Sequence, residues 1–207
     1  MKKFLLTAGV LAMATLSLFT SCKDDDTPIV PTITTVNVDK VALNDAENAA
    51  QESAIKSAEE DAKQIAPEGA TVVVDNNTII TTNPDGTTTE VTVTTTYTYE
   101  INGKTYNTID EVARVIASQP AGTTVKVTAI LTQTTTTVTK DVNGEETNRG
   151  VKQETNSETS TVNIPNAGET IKENITLPTN VNNDDTRNVP IVITVNYDAS
   201  HSGGAGR

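Results

Sequence analysis

The chain has 207 residues, a formal net charge of -12, one cysteine, one histidine and no tryptophan. That balance excludes a nucleic-acid partner, which needs clustered lysine and arginine to meet phosphate, and it excludes electrostatic attachment to anionic lipid. With Cys22 as the lone cysteine, an internal disulfide and a cysteine-based metal site are excluded as well.

The chain opens with Met1-Lys2-Lys3, a positive segment, followed by an apolar stretch from Phe4 to Phe19 that Thr7, Thr15 and Ser17 interrupt. Small residues, Thr20 and Ser21, then precede Cys22. Charge, apolar run and small residues in that order read as a secretory signal over residues 1–21. The run is short for a membrane span, which takes about 20 apolar residues. Removing the leader takes Lys2 and Lys3 with it and leaves a charge of about -14.

Phe19-Thr20-Ser21-Cys22 resembles the lipobox of bacterial lipoproteins cut by signal peptidase II. The resemblance implies a diacylglycerol thioether on Cys22, and through that lipid a membrane as partner. Several acyl chains, at about 0.8 kcal/mol per buried CH₂, suffice for stable anchoring. Lys23-Asp24-Asp25-Asp26 looks like the acidic export signal of surface-exposed Bacteroidota lipoproteins, which implies the outer membrane and the cell surface. The whole chain resembles an uncharacterised Bacteroides lipoprotein family, a domain of unknown function. That likeness brings no functional residues with it.

Residues 22–32 read as an acidic, proline-bearing tether with Pro28 and Pro31. The body is predicted over 33–198, with a first strand from Ile33 to Val38. Asn44 to Ile65 reads as a helix capped by Asn44 with Glu47 three residues on. Its buried face is predicted to be Ala46, Ala50, Ala54, Ala58 and Ala62, with Ile55 and Ile65 beside them. Ala70–Thr82 and Thr87–Ile101 read as a strand pair joined by the turn Asn83-Pro84-Asp85-Gly86. In the second of these, Val91, Val93, Tyr97, Tyr99 and Ile101 alternate with threonines, the period of a half-buried strand. Asn102-Gly103 is a tight turn leading to Lys104–Tyr106.

Thr108 begins a second helix, with Glu111 completing a capping box and Ile109, Val112, Ala113 and Ile116 at helical spacing. Thr123–Asp141 reads as a long strand burying Val125, Val127, Ala129 and Leu131, with a turn at Asn143-Gly144 and a return strand within Val151–Ile164. Residues 166–188 read as a polar loop anchored by Ile171, Ile175 and Leu177, Val189–Tyr197 as the last strand, and 199–207 as a tail. A helix end, a proline-glycine turn and a threonine-rich hairpin occur twice. That suggests a duplicated unit, 44–102 and 108–164; recurring turn chemistry accounts for the echo equally well.

Threonine supplies roughly one residue in five, far above ordinary usage. Its β-branched side chain favours strands, so the expected fold class is α+β and β-rich: long antiparallel threonine-rich hairpins form a sheet, with two helices packed on one face. For chemistry the chain offers little. His201 lies in a Ser-Gly-Gly tail without rigid support for a catalytic base. Asp141-Val142-Asn143-Gly144-Glu145-Glu146 lacks the ligand series of a calcium loop and reads as a hairpin turn, and Asn182-Asn183-Asp184-Asp185 as an ordinary polar loop. No catalytic residue, metal ligand or cofactor is expected. The expected role is a non-enzymatic binding or structural module with a protein or glycan partner at the cell surface. Alternatives are a β-hairpin pore-forming protein and a carbohydrate-active enzyme or binding protein.

Overall fold

Alternation of aliphatic and threonine side chains builds most of the body. The computed structural model describes residues 31–182 and 185–197. In chain order the elements are β1 (Pro31–Val38), α1 (Lys40–Ile65), β2 (Thr71–Asp75), β3 (Thr78–Thr82), β4 (Thr88–Ile101), β5 (Lys104–Tyr106), α2 (Ile109–Ala117), β6 (Thr124–Lys140), β7 (Glu146–Asn163), β8 (Thr170–Pro178) and β9 (Thr186–Tyr197). The expected β-rich α+β class holds, with all strand pairing antiparallel. In place of one sheet there are two. Six strands form a large sheet in the order β2-β3-β4-β6-β7, with β5 on β4, and three form a small sheet in the order β1-β9-β8.

The odd-numbered residues of β4 and β6 form the inner face of the large sheet. Tyr99 faces Ala129, Tyr97 faces Leu131 and Val93 faces Thr135. At one end, the base, Ile101, Val125, Val127 and Val162 pack with Ile109, Val112 and Ile116 of α2 and with Ile175, Leu177, Ile191 and Ile193 of the small sheet. Both helices and the small sheet therefore cover the same side of the large sheet. At the other end, the tip, a smaller cluster joins Ala54, Ala58 and Ala62 of α1 to Ile79 and Val93. The outer face is a threonine surface. Cross-strand hydroxyls pair at Thr78–Thr92 (3.0 Å) and Thr128–Thr159 (2.8 Å), and Lys140 bonds Glu90 at 2.5 Å.

Several sequence expectations need correction. The cap of α1 is Asp39, whose Oδ1 accepts from Val41 N and Ala42 N at 3.0 Å, and Asn44 lies inside the helix. The reason is Leu43: it belongs to the same buried stripe as Ala46 and Ala50, so the helix must start before it. The expected alanine face is buried, but Ile65 is 80% exposed at the helix end. The stretch 70–82 is two strands, β2 and β3, because Asn76 takes φ 54 and turns the chain back. The return strand β7 starts at Glu146, well before Val151. Residues 170–178, read as loop, form β8. Ile171, Ile175 and Leu177 keep period two, and Glu173, which stands in the same row, disguises it. β1 starts at Pro31, two residues inside the segment assigned to the tether.

Local signals elsewhere act as expected. Thr108 Oγ1 accepts from Glu111 N, and the Glu111 carboxylate accepts from Thr108 N, a complete capping box. Asn102 (φ 53) and Gly103 (φ 75) make the tight turn between β4 and β5. The two tip turns, 83–87 and 141–145, lie side by side: a Cβ on Gly86 would meet Val142 Cγ1 at 3.5 Å.

One side chain repairs a break in the sheet. β3 stops pairing at Thr78, opposite Thr92. Beyond that point Gln51 of α1 acts as a surrogate peptide group. Its Nε2 donates to Val93 O (2.9 Å), and its Oε1 accepts from Thr95 N (3.0 Å) and Thr95 Oγ1 (3.1 Å). Gln51→Ala strands a part-buried carbonyl and amide, and is expected to lower unfolding free energy by about 1–3 kcal/mol in urea titration. An unchanged midpoint would show that water satisfies both groups.

The tip turns carry a pH dependence. Asp85 accepts from Thr87 Oγ1 (2.7 Å) and Thr87 N (3.0 Å), which lowers its carboxyl below the ordinary 3.8. Asp141 accepts from Glu145 N and Asn143 N, both at 2.9 Å, and is lowered likewise. A folded pKa below the unfolded one means that the unfolded chain binds more protons. The stabilisation is therefore present above the ordinary value and lost as pH falls through the lowered one. Carboxyl NMR titration is expected to place both midpoints below 3.8, with exchange of the Thr87 and Glu145 amides speeding up as each is protonated.

Candidate functional site

A concavity of about 410 Å³ lies at the tip between α1 and the inner face of the large sheet. It exists because of the helix's alanines. A face of small side chains lets α1 settle close to β3 and β4 and leaves it too narrow to reach β6 and β7. The small sheet covers those strands only near the base. The sequence changes where cover ends: along the inner face of β6, Val125, Val127, Ala129 and Leu131 give way to Gln133, Thr135 and Thr137. β7 does the same in reverse, from Lys152 and Glu154 at the tip to Ser160 and Val162 at the base.

One wall is the second half of α1, with Ser57, Asp61 and Ile65. The floor is Val91, Gln133, Thr135 and Thr137. Lys152 and Glu154 form the far rim, paired at 2.8 Å, and Asn83 and Asn182 close the two ends. The base end is braced by a polar chain: Asn156 Nδ2 donates to Asn180 O (2.7 Å), and Asn180 Nδ2 donates to Ser53 Oγ (2.6 Å). The groove thus offers hydroxyls, amides, one carboxylate on the helix and one ion pair on the rim. No aromatic side chain lines it. Its hydrogen-bonding groups suit a polar ligand.

Buried Tyr99 and half-buried Tyr97 lie elsewhere, under the first half of α1. Burial, with Glu47 nearby, pushes the phenols of Tyr97 and Tyr99 far above their ordinary value, so both stay protonated. Tyr97 Oη donates to Pro178 O at 2.5 Å and ties β4 to the small sheet. Among the described residues no group of three or more His, Cys, Asp or Glu is placed to hold a metal ion.

The residues that the sequence singles out, Cys22, Lys23, Asp24, Asp25 and Asp26, lie outside the described residues, as do His201, Asn183 and Asp184. Asp141 spends its carboxylate on the turn amides of 143 and 145, as a hairpin turn requires. Sequence reasoning missed the groove. Its signal was present in the polar switch at Gln133, which breaks an otherwise aliphatic row.

No helix among the described residues is long and apolar enough to cross a membrane. No family model, no curated protein and no solved structure matches this chain.

Proposed function

We propose that this chain is a non-enzymatic surface lipoprotein of the outer membrane, held by lipid on Cys22, whose tip groove binds a polar partner. The observation that carries the reading is the order Phe19-Thr20-Ser21-Cys22-Lys23-Asp24-Asp25-Asp26, a lipobox followed at once by an acidic export signal. The placement of the strand ends fits it. Pro31 pairs with Tyr197 at the base, the end opposite the turns at 83–87 and 141–145. A body tethered through 22–30 would then present its groove away from the lipid.

The groove's character supports binding over catalysis. Glu154 is already paired with Lys152. A glycosidase needs two carboxylates set across a bound sugar, one of them held as an acid, and a sugar site gains from aromatic platforms that this groove lacks. A lipid-inserting hairpin needs one continuous apolar face. The tip of β6 offers Gln133, Thr135 and Thr137 on one face and Thr132, Thr134 and Thr136 on the other.

Cys22→Ala is expected to move the protein from the membrane fraction to the soluble one. The native chain's mass is expected to lack residues 1–21 and to carry diacylglycerol plus an acyl chain. A native protein that keeps its leader, or carries a free thiol at Cys22, would overturn the anchor. Added to dye-loaded liposomes, the protein is expected to cause no release; leakage would favour the pore reading.

A further inference from the structure

We propose that the opening in the large sheet between β3 and β5 is a docking site for a short extended segment of another protein, which pairs with β4 at Tyr97 and sets a basic side chain against Glu47.

The opening follows from a complete account of the β4 backbone. Successive residues of a strand direct their N–H and C=O groups alternately to its two neighbours. Val93 N donates to Asn77 O at 2.9 Å, so the odd residues of β4 face away from β6. Val91 pairs with Ile79 of β3, and Tyr99 and Ile101 pair with Tyr106 and Lys104 of β5. Between them, Val93 O and Thr95 N are taken by Gln51. That leaves Thr95 O, Tyr97 N and Tyr97 O facing the opening, without a protein partner among the described residues.

The space is there. A cavity of about 390 Å³ is lined by Glu47, Asn48, Gln51, Thr95, Thr96 and Tyr97. A second of about 210 Å³ shares Glu47 and Tyr97 and runs on to Asn107 and Asp110. Val93 and Tyr99 lie about 20 Å apart along the strand at 3.3 Å per residue; Gln51 takes the stretch from Val93 to Thr95, and the remaining stretch of about 13 Å has room for three or four extended residues. A residue opposite Tyr97 gains both of its hydrogen bonds, and its neighbour two positions along donates to Thr95 O. A donor and an acceptor on one residue at strand spacing are the recognition pattern of an added β-strand.

Charge sets the partner's character. A cross-strand residue shares the face of the one it opposes, so the side chain opposite Tyr97 points to the inner face, where Glu47 stands on α1. Glu47 is exposed and makes no ion pair among the described residues; the Lys40 ammonium nearby is held by Asp110 at 2.5 Å. A lysine or arginine at the central position meets that carboxylate. A second copy of this chain, with net charge -12, approaches against its own repulsion. The site lies on the opposite flank of α1 from the groove and does not rest on the function assigned there.

The test is hydrogen exchange of the full chain with the probe acetyl-Thr-Val-Lys-Val-Thr-amide. In the free protein the amide of Tyr97 is expected to exchange fast, unlike those of Tyr99 and Ile101. The probe at saturation is expected to slow it, and an N-methyl group on the probe's lysine is expected to weaken binding about threefold to tenfold. Replacing that lysine by glutamate, or Glu47→Gln in the protein, is expected to weaken binding by a similar factor at low salt, with an unchanged melting temperature for the variant. The proposal fails on any of four results: Tyr97 protected without probe, no protection at millimolar probe, protection that survives N-methylation, or protection confined to the groove at Gln133 and Lys152.

Discussion

The contact on which the rest of the structure depends is the alanine ridge of α1 against the inner face of the large sheet. Ala46, Ala50, Ala54, Ala58 and Ala62 are all buried, one per turn. Each brings one methyl, so each contributes on the order of 0.8 kcal/mol of apolar transfer, a third of what a leucine gives. What alanine offers in return is proximity. It lets Gln51 reach the β4 backbone and replace a missing strand. It also makes the helix too narrow to cover its sheet, and the two uncovered flanks are the groove over β6–β7 and the opening beside β4.

That weakness is distributed unevenly. At the base, branched aliphatic side chains from both sheets and α2 interlock around Tyr99 and Ile101. At the tip Ile79 and Val93 meet three alanines, with half-buried Ile55, Val72 and Val91 around them. The tip is held mainly by the β4–β6–β7 ladders, by threonine pairs and by the aspartate-braced turns. Exposed ladders and few apolar contacts mark the parts of a fold that open most readily. The groove is therefore built on the end of the body with the smaller apolar cluster, where a ligand's binding free energy has most to order.

Much of this was legible in the sequence. The β4 and β6 alternations, the Thr108 capping box and the glycine turns each rest on interactions within a few residues, and each is where the sequence places it. The misses share a different cause. Asp39 and Asn44 are both good caps, and only the tertiary need to bury Leu43 selects the first. The 70–82 stretch reads as continuous because β-branched runs, Thr71–Val74 and Thr78–Thr82, lie on both sides of Asp75-Asn76-Asn77, and asparagine signals a turn more weakly than glycine. β8 hides because Glu173 interrupts the inward row of Ile171, Ile175 and Leu177. The groove depends on which strands α1 fails to cover, a property of packing that no local pattern encodes, although the polar switch at Gln133 records its consequence.

Threonine explains how so much uncovered sheet stays sheet. Away from the base, β7 is exposed from Glu146 to Gln153, and it is held there by pairing with the threonines of β6, Thr134 to Thr137 and Thr139. A strand of valines there would expose an aggregating edge, and one of serines would lose the β-branched preference that holds the extended backbone. Threonine supplies the branch for conformation and the hydroxyl for water and for cross-strand pairing, as at Thr128 and Thr159. Charges at Arg149 and Lys152 guard the same edge. The opening at Tyr97 has no such charge guard of its own strand: its neighbours on β4 are Thr96 and Thr98, and the nearby charge is the helix's Glu47, which repels acidic chains and attracts basic ones. An edge left open beside a single unpaired carboxylate is selective in a way that a fully guarded edge is not, and that contrast within one sheet separates a docking site from a mere gap in the pairing.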